Sequence, residues 1–87
     1  MISDKHLLQK SAGKAGEALG VIDWYDDVKF IQIWKELYSL CGGDETSMRH
    51  WIQTKNAHLY RKVPAHLIAT EKGIQVVLDY VLYGLNR

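Results

Sequence analysis

The chain has 87 residues, of which 47% are hydrophobic and 24% charged, and its 11 basic and 10 acidic side chains give a formal net charge of +1. This length allows one domain with one core. The composition is that of a globular protein rather than a disordered one. The near-even charge argues against a purely electrostatic nucleic-acid binder, which needs concentrated positive charge. No signal peptide or membrane-length apolar run is apparent, so we expect a cytoplasmic protein that does not enter a membrane.

The first predicted helix begins near Ser3, a favourable N-cap. Its apolar side is formed by Leu7, Leu8, Ala12, Ala15 and Leu19. Gly13 and Gly16 lie within it, and each costs up to about 1 kcal/mol relative to alanine inside a helix. We therefore expect this helix to depend on packing against the rest of the chain.

The second helix has the clearest boundaries. Asp26 or Asp27 can cap its start, and Gly42-Gly43 can end it by adopting the left-handed conformation common after helices. The apolar residues at helical spacing, which we expect to face the core, are Val28, Ile31, Trp34, Leu37, Tyr38 and Cys41. We interpret Cys41, the single cysteine, as a small core residue.

Three shorter helices are predicted to follow. Asp44 caps the third, which ends near Asn56, and Pro64 fits the first turn of the fourth. Thr70 caps the last helix. The inward residues of the third helix are expected to be Met48, Trp51 and Ile52. The chain is thus predicted to be an all-α, compact single-domain bundle of about five helices.

The last helix has two apolar stripes. The stripe with core spacing consists of Ile74, Val77, Leu78, Val81 and Leu85. The second stripe consists of Val76, Tyr80 and Tyr83. Such a helix is either wrapped by the other helices, with its tyrosine hydroxyls at the surface, or covered by a partner. The tyrosines favour a partner, because tyrosine is enriched in protein interfaces.

No catalytic or metal-binding pattern emerges, so we expect a non-enzymatic protein without metal or cofactor. The histidines form no HExxH motif, and one cysteine cannot supply a zinc knuckle. A basic and aromatic cluster is formed by Trp51, Lys55, His58, Tyr60, Arg61 and Lys62. Such a mixture can hold single-stranded nucleic acid. The core spacing of Trp51 with Met48 and Ile52 instead favours a small solvated patch.

An ordered set of motifs runs through most of the chain. It comprises Ile33-Trp34-Lys35-Glu36-Leu37-Tyr38-Ser39-Leu40, Gly42-Gly43-Asp44-Glu45, Met48-Arg49-His50-Trp51-Ile52, Asn56, Leu59, Pro64, Leu67-Ile68, Gly73, Val76-Val77, Asp79-Tyr80 and Gly84. This set resembles the toxin-binding domain of the Xre/MbcA/ParS antitoxin family. The resemblance implies the antitoxin of a type II toxin-antitoxin system. Its cognate protein toxin would be an NAD-consuming RES-type toxin or a related ADP-ribosyltransferase-like protein, whose active site the antitoxin covers without binding NAD itself.

The resemblance also implies a division of the chain. Residues 1–22 would be an N-terminal helix, the remnant of a helix-turn-helix region, and residues 23–87 the toxin-binding domain. The segment that reads DNA in longer family members is missing between them, so we do not expect operator binding. A homodimer is left open. The alternatives are a DNA-binding transcriptional regulator, with Lys10 and Lys14 on phosphates, and a solitary protein-interaction module.

The end of the last helix is the expected toxin-binding site. Its residues are Val76, Tyr80, Tyr83, Gly84, Leu85, Asn86 and Arg87. Gly84 is expected to end the helix in a conformation that other residues resist. Asn86 and Arg87 would then project as a short polar tail and compete for groups with which the toxin holds a dinucleotide.

Overall fold

A computed structural model describes residues 4–84, which form five α-helices. These are α1 (Asp4–Leu19), α2 (Asp27–Leu40), α3 (Glu45–Gln53), α4 (Pro64–Leu67) and α5 (Glu71–Asp79). A 3₁₀-helix, Ala57–Leu59, precedes α4, and a π-helix, Tyr80–Gly84, continues α5. The predicted all-α bundle of about five helices is confirmed. No helix among residues 4–84 is long and apolar enough to cross a membrane.

Side-chain caps define where three of the helices begin. The carboxylate of Asp26, rather than that of Asp27, accepts a hydrogen bond from the third backbone N–H of α2 at 2.9 Å. Asp44 accepts a bond from the second backbone N–H of α3, and Thr70 accepts one from the third backbone N–H of α5, each at 3.0 Å. These caps satisfy N–H groups that have no partner inside the helix. The predicted caps at Asp44 and Thr70 are thus confirmed, whereas Ser3 lies outside the described residues.

Glycine in the left-handed region follows two of the described helices, and Gly20, with a φ of 70°, directly follows α1. Gly42 and Gly43, with φ of 62° and 80°, follow α2 in the left-handed region, as predicted. By contrast, α3 ends at Gln53, before the expected end near Asn56. The backbone of Asn56 is already extended, because its side chain caps the 3₁₀-helix that follows.

The core face of α2 differs from the predicted one. Its fully buried side chains are Phe30, Ile33 and Leu37. The prediction was wrong for Val28 and Tyr38, which are 47% and 46% exposed. Ile31, Trp34 and Cys41 are only partly buried at the edge of the core. The helix has apolar residues on both faces, and docking of α1 and α5 selects the face centred on Ile33.

Small side chains bring α1 close to the rest of the bundle. Ala12, Ala15 and Leu19 are buried as predicted, but Leu7 is 50% exposed, so its assignment to the core was wrong. The C-terminal end of α1 is bonded to α3, because Arg49 and Gln53 donate side-chain hydrogen bonds to carbonyl groups of residues 17–20. These bonds satisfy carbonyls that a helix end leaves free.

One stripe of α5 is the core stripe. Ile74, Val77 and Val81 are fully buried and Leu78 is 5% exposed, as predicted, while Leu85 lies outside the described residues. Gly73, also buried, allows a close approach between α5 and α4. Burial of this stripe leaves Val76 and Tyr80, on the other side of the same helix, only partly buried.

We expect Thr70→Ala to lower the free energy of unfolding by about 1 kcal/mol, the usual effect of removing an N-cap side chain. The variant leaves the N–H of Gly73 without the Thr70 hydroxyl as its acceptor. Urea denaturation followed by circular dichroism measures the change. Thr46→Ala, at an exposed position in the first turn of α3, is the control and should change stability by less. Equal stability of the two variants would contradict the capping role.

Candidate functional site

Three aromatic rings from distant parts of the chain meet where α5 becomes the π-helix. The centroid of the Tyr80 ring lies 6.2 Å from that of Trp51, with 13° between the planes. It lies 5.9 Å from that of His58, with 19° between the planes. Trp51 belongs to α3, and His58 to the 3₁₀-helix. We call Trp51, His58, Tyr60, Tyr80 and Tyr83 the Tyr80 surface.

The stripe predicted to face a partner is present at this surface, with different degrees of exposure. Val76 and Tyr80 are partly buried, and Tyr83 is 66% exposed. Gly84 is exposed. The last three predicted site residues, Leu85, Asn86 and Arg87, lie outside the described residues. The structure therefore brings Tyr80 and Tyr83 to one end of the bundle, with Tyr80 partly covered by the chain itself.

Gly84 has a different role from the one predicted. Its φ is not in the left-handed region that only glycine readily adopts, so the expected helix-ending conformation was wrong. Instead, a Cβ atom at this position would lie 2.5 Å from Cδ1 of Tyr80. The absence of a side chain at Gly84 is what allows the Tyr80 ring to lie against the π-helix. This ring thus lies against Trp51, His58 and the backbone of Gly84.

Because of the π-helix, α-helical periodicity does not predict which side of the helix residues after Tyr80 occupy. Its hydrogen bonds run from residue i to i+5, which makes each turn wider than an α-helical turn. The 3.6-residue spacing that aligns Val76 with Tyr80 no longer applies to Tyr83. Single π-helical turns are found frequently at functional sites.

A compact loop, residues 54–63, lies beside the rings, and we call it the basic loop. Its base is closed by Asn56, whose backbone N–H donates to the carbonyl of Lys62 at 3.0 Å. The carbonyl of Asn56 accepts from the N–H groups of Leu59 and Arg61, each at 3.0 Å. The side chain of Asn56 also accepts from the N–H of His58 at 2.9 Å. Leu59, 1% exposed, anchors the loop in the core.

The tip of the basic loop has an unusual backbone. Tyr60 and Arg61 are consecutive non-glycine residues in the left-handed region, each with a φ of 58°. Such conformations are uncommon for residues with a side chain and persist where surrounding bonds enforce them. The bonds to Asn56 enforce this one. As a result Tyr60, 72% exposed, and the cation of Arg61 are presented on a fixed backbone.

The described residues offer little for chemistry. Burial and the nearby carboxylate of Asp44 raise the pKa of the Cys41 thiol, which disfavours the nucleophilic thiolate. Among residues 4–84 no three His, Cys, Asp or Glu side chains are grouped so that they could hold a metal ion. A surface of exposed aromatic and cationic groups on a fixed backbone is instead suited to binding another macromolecule.

Both halves of this site are visible in the sequence, but their contact is not. The spacing of Trp51 predicts a core residue, and the cluster of Lys55, Arg61 and Lys62 is predicted to be a solvated patch. In the structure Trp51 is only partly buried, and its ring contacts both the core and Tyr80. No local pattern predicts this contact, because Trp51 and Tyr80 are far apart in the sequence. The motif positions Asn56 and Leu59 were the available signal, since they shape the loop.

A comparison with protein families gives one match. The model described as the antitoxin Xre/MbcA/ParS C-terminal toxin-binding domain matches residues 36–82, more than half of the chain. The matched segment begins within α2 and includes α3, the basic loop, α4, α5 and Tyr80. It ends one residue before Tyr83. No curated protein sequence matches the chain significantly.

Proposed function

The chain belongs to the Xre/MbcA/ParS antitoxin family, and we propose that it is the non-enzymatic antitoxin of a type II system that neutralises an NAD-consuming RES-type toxin by covering its active site. The observation on which the proposal depends is the match of residues 36–82 to a toxin-binding domain. The toxin class and the mode of inhibition follow from the resemblance of the motifs described above. They are the part that experiment must test.

The geometry of the Tyr80 surface supports a protein partner. Exposed tyrosines beside a cationic side chain are typical of the anchors of protein interfaces, where tyrosine and arginine are enriched. Tyr60 and Tyr83 are the two most exposed tyrosines of the described chain, at 72% and 66%, and each follows one member of the His58–Tyr80 ring pair by two or three residues along the chain. A toxin that buries this surface gains apolar contact and tyrosine hydrogen bonds together.

We propose that Val76, Tyr80, Tyr83 and Gly84 form the centre of the contact. Val76 and Tyr80 lie inside the matched segment, while Tyr83 and Gly84 follow it. We further propose that Leu85, Asn86 and Arg87 also contact the toxin and compete for the groups with which it holds a dinucleotide. In this arrangement the antitoxin needs no cofactor, because it acts by excluding NAD from the toxin.

The test is co-expression of the chain with the protein encoded by the neighbouring gene. We expect that protein alone to stop growth and to deplete cellular NAD, and co-expression of the antitoxin to restore both. Purified toxin should hydrolyse NAD or transfer its ADP-ribose group. The antitoxin should inhibit this reaction fully at one antitoxin molecule per toxin active site. Growth arrest without any change in NAD would contradict the RES-type assignment while leaving an antitoxin function in place.

We expect Tyr83→Glu to weaken toxin binding by about 30-fold or more, which corresponds to about 2 kcal/mol for an interface anchor. The substitution places a charge where the proposed contact is desolvated. Because Tyr83 is mostly exposed, the fold should be unchanged, and a melting curve checks this. The affinity is measured by calorimetry with the purified toxin.

Val28→Glu is the matched control for Tyr83→Glu. Val28 is an exposed apolar residue in the first turn of α2, where an acidic side chain is compatible with the helix dipole. It lies outside the matched segment. If Tyr83→Glu binds the toxin as tightly as Val28→Glu does, the contact lies elsewhere.

A further inference from the structure

The charges of the chain are distributed unevenly. Residues 46–70 contain no aspartate or glutamate, although they include four of the 11 lysines and arginines and three of the four histidines. The rest of the chain has seven basic and ten acidic side chains. A protein with a net charge of only +1 therefore has one strongly basic segment, and the basic loop lies in its middle.

The cations of the basic loop are not used by the fold. Arg49, the fourth cation of the segment, donates to the carbonyl groups of Glu17 and Ala18 at the end of α1. In contrast, the side chains of Lys55, Arg61 and Lys62 are exposed, and no carboxylate in residues 4–84 forms an ion pair with them. These three charges are available for a partner.

The loop is ordered before any partner binds. The hydrogen bonds of Asn56 close its base, and Leu59 buries its middle in the core. They hold Tyr60 and Arg61 in the left-handed conformation. A surface fixed in advance loses less conformational entropy when it binds. The loop thus has the properties of a preformed recognition element rather than of a flexible connection.

The loop is also continuous with the proposed toxin contact. His58, within the loop, stacks on Tyr80, and Tyr60 follows two residues later. A protein that covers Tyr80 and Tyr83 would therefore lie next to Arg61 and Lys62. We propose that the basic loop is the second half of the toxin interface and that it binds an acidic patch beside the active site of the toxin. This inference rests on the proposed function and names the partner chemistry of the same site.

A nucleic acid fits these observations less well than an acidic protein surface. Single-stranded nucleic acid is bound by stacking of successive bases on aromatic rings, whereas the rings of Trp51 and His58 already stack on Tyr80 and only those of Tyr60 and Tyr83 are largely exposed. The excess of acidic groups outside residues 46–70 would repel a phosphate backbone that extends beyond the loop. An acidic patch on a protein needs only the three loop cations.

The experiment compares two charge reversals of equal size. Arg61→Glu/Lys62→Glu changes the loop, and Lys10→Glu/Lys14→Glu makes the same change in charge at exposed positions of α1, outside the matched segment. Each variant is checked by a melting curve. The association rate with a catalytically inactive form of the neighbouring-gene toxin is then measured by stopped flow from about 0.01 M to about 0.15 M salt, where the screening length falls from about 30 to about 8 Å.

We expect the loop variant to associate about 10-fold more slowly than the wild type at low salt, because interface charges steer encounter. Its rate should also depend less on salt. The α1 variant should resemble the wild type. Equal slowing of both variants would show that net charge alone acts, and unchanged association of the loop variant would remove the loop from the interface. Either result overturns the inference, and the proposed function stands if the wild type still neutralises the toxin.

A second arm tests nucleic acid directly. We expect no binding of a mixed-sequence single-stranded oligonucleotide at about 0.15 M salt, where binding through few phosphates is weak. Binding that the loop variant loses and the α1 variant retains would make the loop a nucleic-acid site and overturn the inference. If the wild type neither binds nor inhibits the toxin, the inference and the proposed function both fail. If the wild type inhibits the toxin and the loop variant associates with it normally, only the inference fails.

Discussion

Phe30→Ala is expected to lower the free energy of unfolding by about 3–5 kcal/mol, as truncation of a large buried aromatic residue does. Phe30 is fully buried, and its ring stacks on Trp24 with centroids 4.6 Å apart. Small domains have a total stability of about 5–15 kcal/mol, so this loss is a large fraction of it. Urea denaturation at 25 °C, followed by circular dichroism, measures the change.

Val28→Ala is the control for Phe30→Ala on the same helix. Val28 is 47% exposed, and its truncation should change the stability by less than about 1 kcal/mol. The pair tests which face of α2 is buried, since the sequence pattern alone favoured Val28. A larger loss for Val28→Ala than for Phe30→Ala would mean that α2 is rotated from the orientation described here.

Gly73→Ala is expected to destabilise the protein by about 3 kcal/mol or more, at the upper end of the range for overpacking a core. A Cβ atom at Gly73 would overlap the carbonyl oxygen of Leu67. That oxygen belongs to the backbone of α4, so it cannot move aside by a change of rotamer. The position is therefore closed to any side chain unless α4 and α5 separate. Thermal and urea denaturation measure the loss.

The same substitution at Gly13 should have the opposite sign. Nothing lies within 4 Å of a Cβ atom built at Gly13, which is inside α1. Gly13→Ala is expected to stabilise the protein by about 0.5–1 kcal/mol, because alanine has the higher helix propensity and a less disordered unfolded state. If Gly73→Ala is also stabilising, the close approach of α4 to Gly73 is wrong, and if Gly13→Ala is destabilising, the open space at Gly13 is wrong.

The first helix shares the core of the segment that matches the toxin-binding domain. Ala12, Ala15 and Leu19 lie in one buried cluster with residues of α2, α3 and α5. The side chains of Arg49 and Gln53, both in α3, also donate hydrogen bonds to backbone carbonyls at the C-terminal end of α1. The division into residues 1–22 and 23–87 remains a prediction. In the structure, α1 contributes part of the core against which the helices of the matched segment pack.

The geometry of the site shows how the fold controls a recognition surface. Tyr80 is held by Trp51, His58 and the bare backbone of Gly84. Tyr83, by contrast, extends into solvent. Because the Tyr80 ring is already packed against its neighbours, it has little side-chain freedom to lose when a partner binds. Gly84 contributes because it has no side chain and so leaves space for the Tyr80 ring, and its backbone conformation is not one that requires glycine.

Local chemistry in the sequence determined where most helices begin and end. Asp44, Thr70 and Pro64 act at helix starts, and Gly42 with Gly43 follows α2 as expected, because caps and left-handed glycines depend on a few adjacent residues. The core stripe of α5 was also readable, since its buried residues repeat at 3.6-residue spacing. The motif set further indicated the antitoxin family, which the match to residues 36–82 confirmed.

Tertiary structure alone decided which face of α2 is buried and how the site is assembled. Helix α2 is apolar on two faces, so the docking of α1 and α5, rather than periodicity, selects Phe30 over Val28. The contact of Tyr80 with Trp51 and His58 joins residues that no local pattern relates. The π-helical turn changes the register after Asp79, and the left-handed tip of the basic loop depends on bonds from Asn56. Each of these features depends either on packing between segments that are distant in the sequence or on a backbone that departs from α-helical geometry. The periodicity of a single segment predicts neither the packing nor the departure.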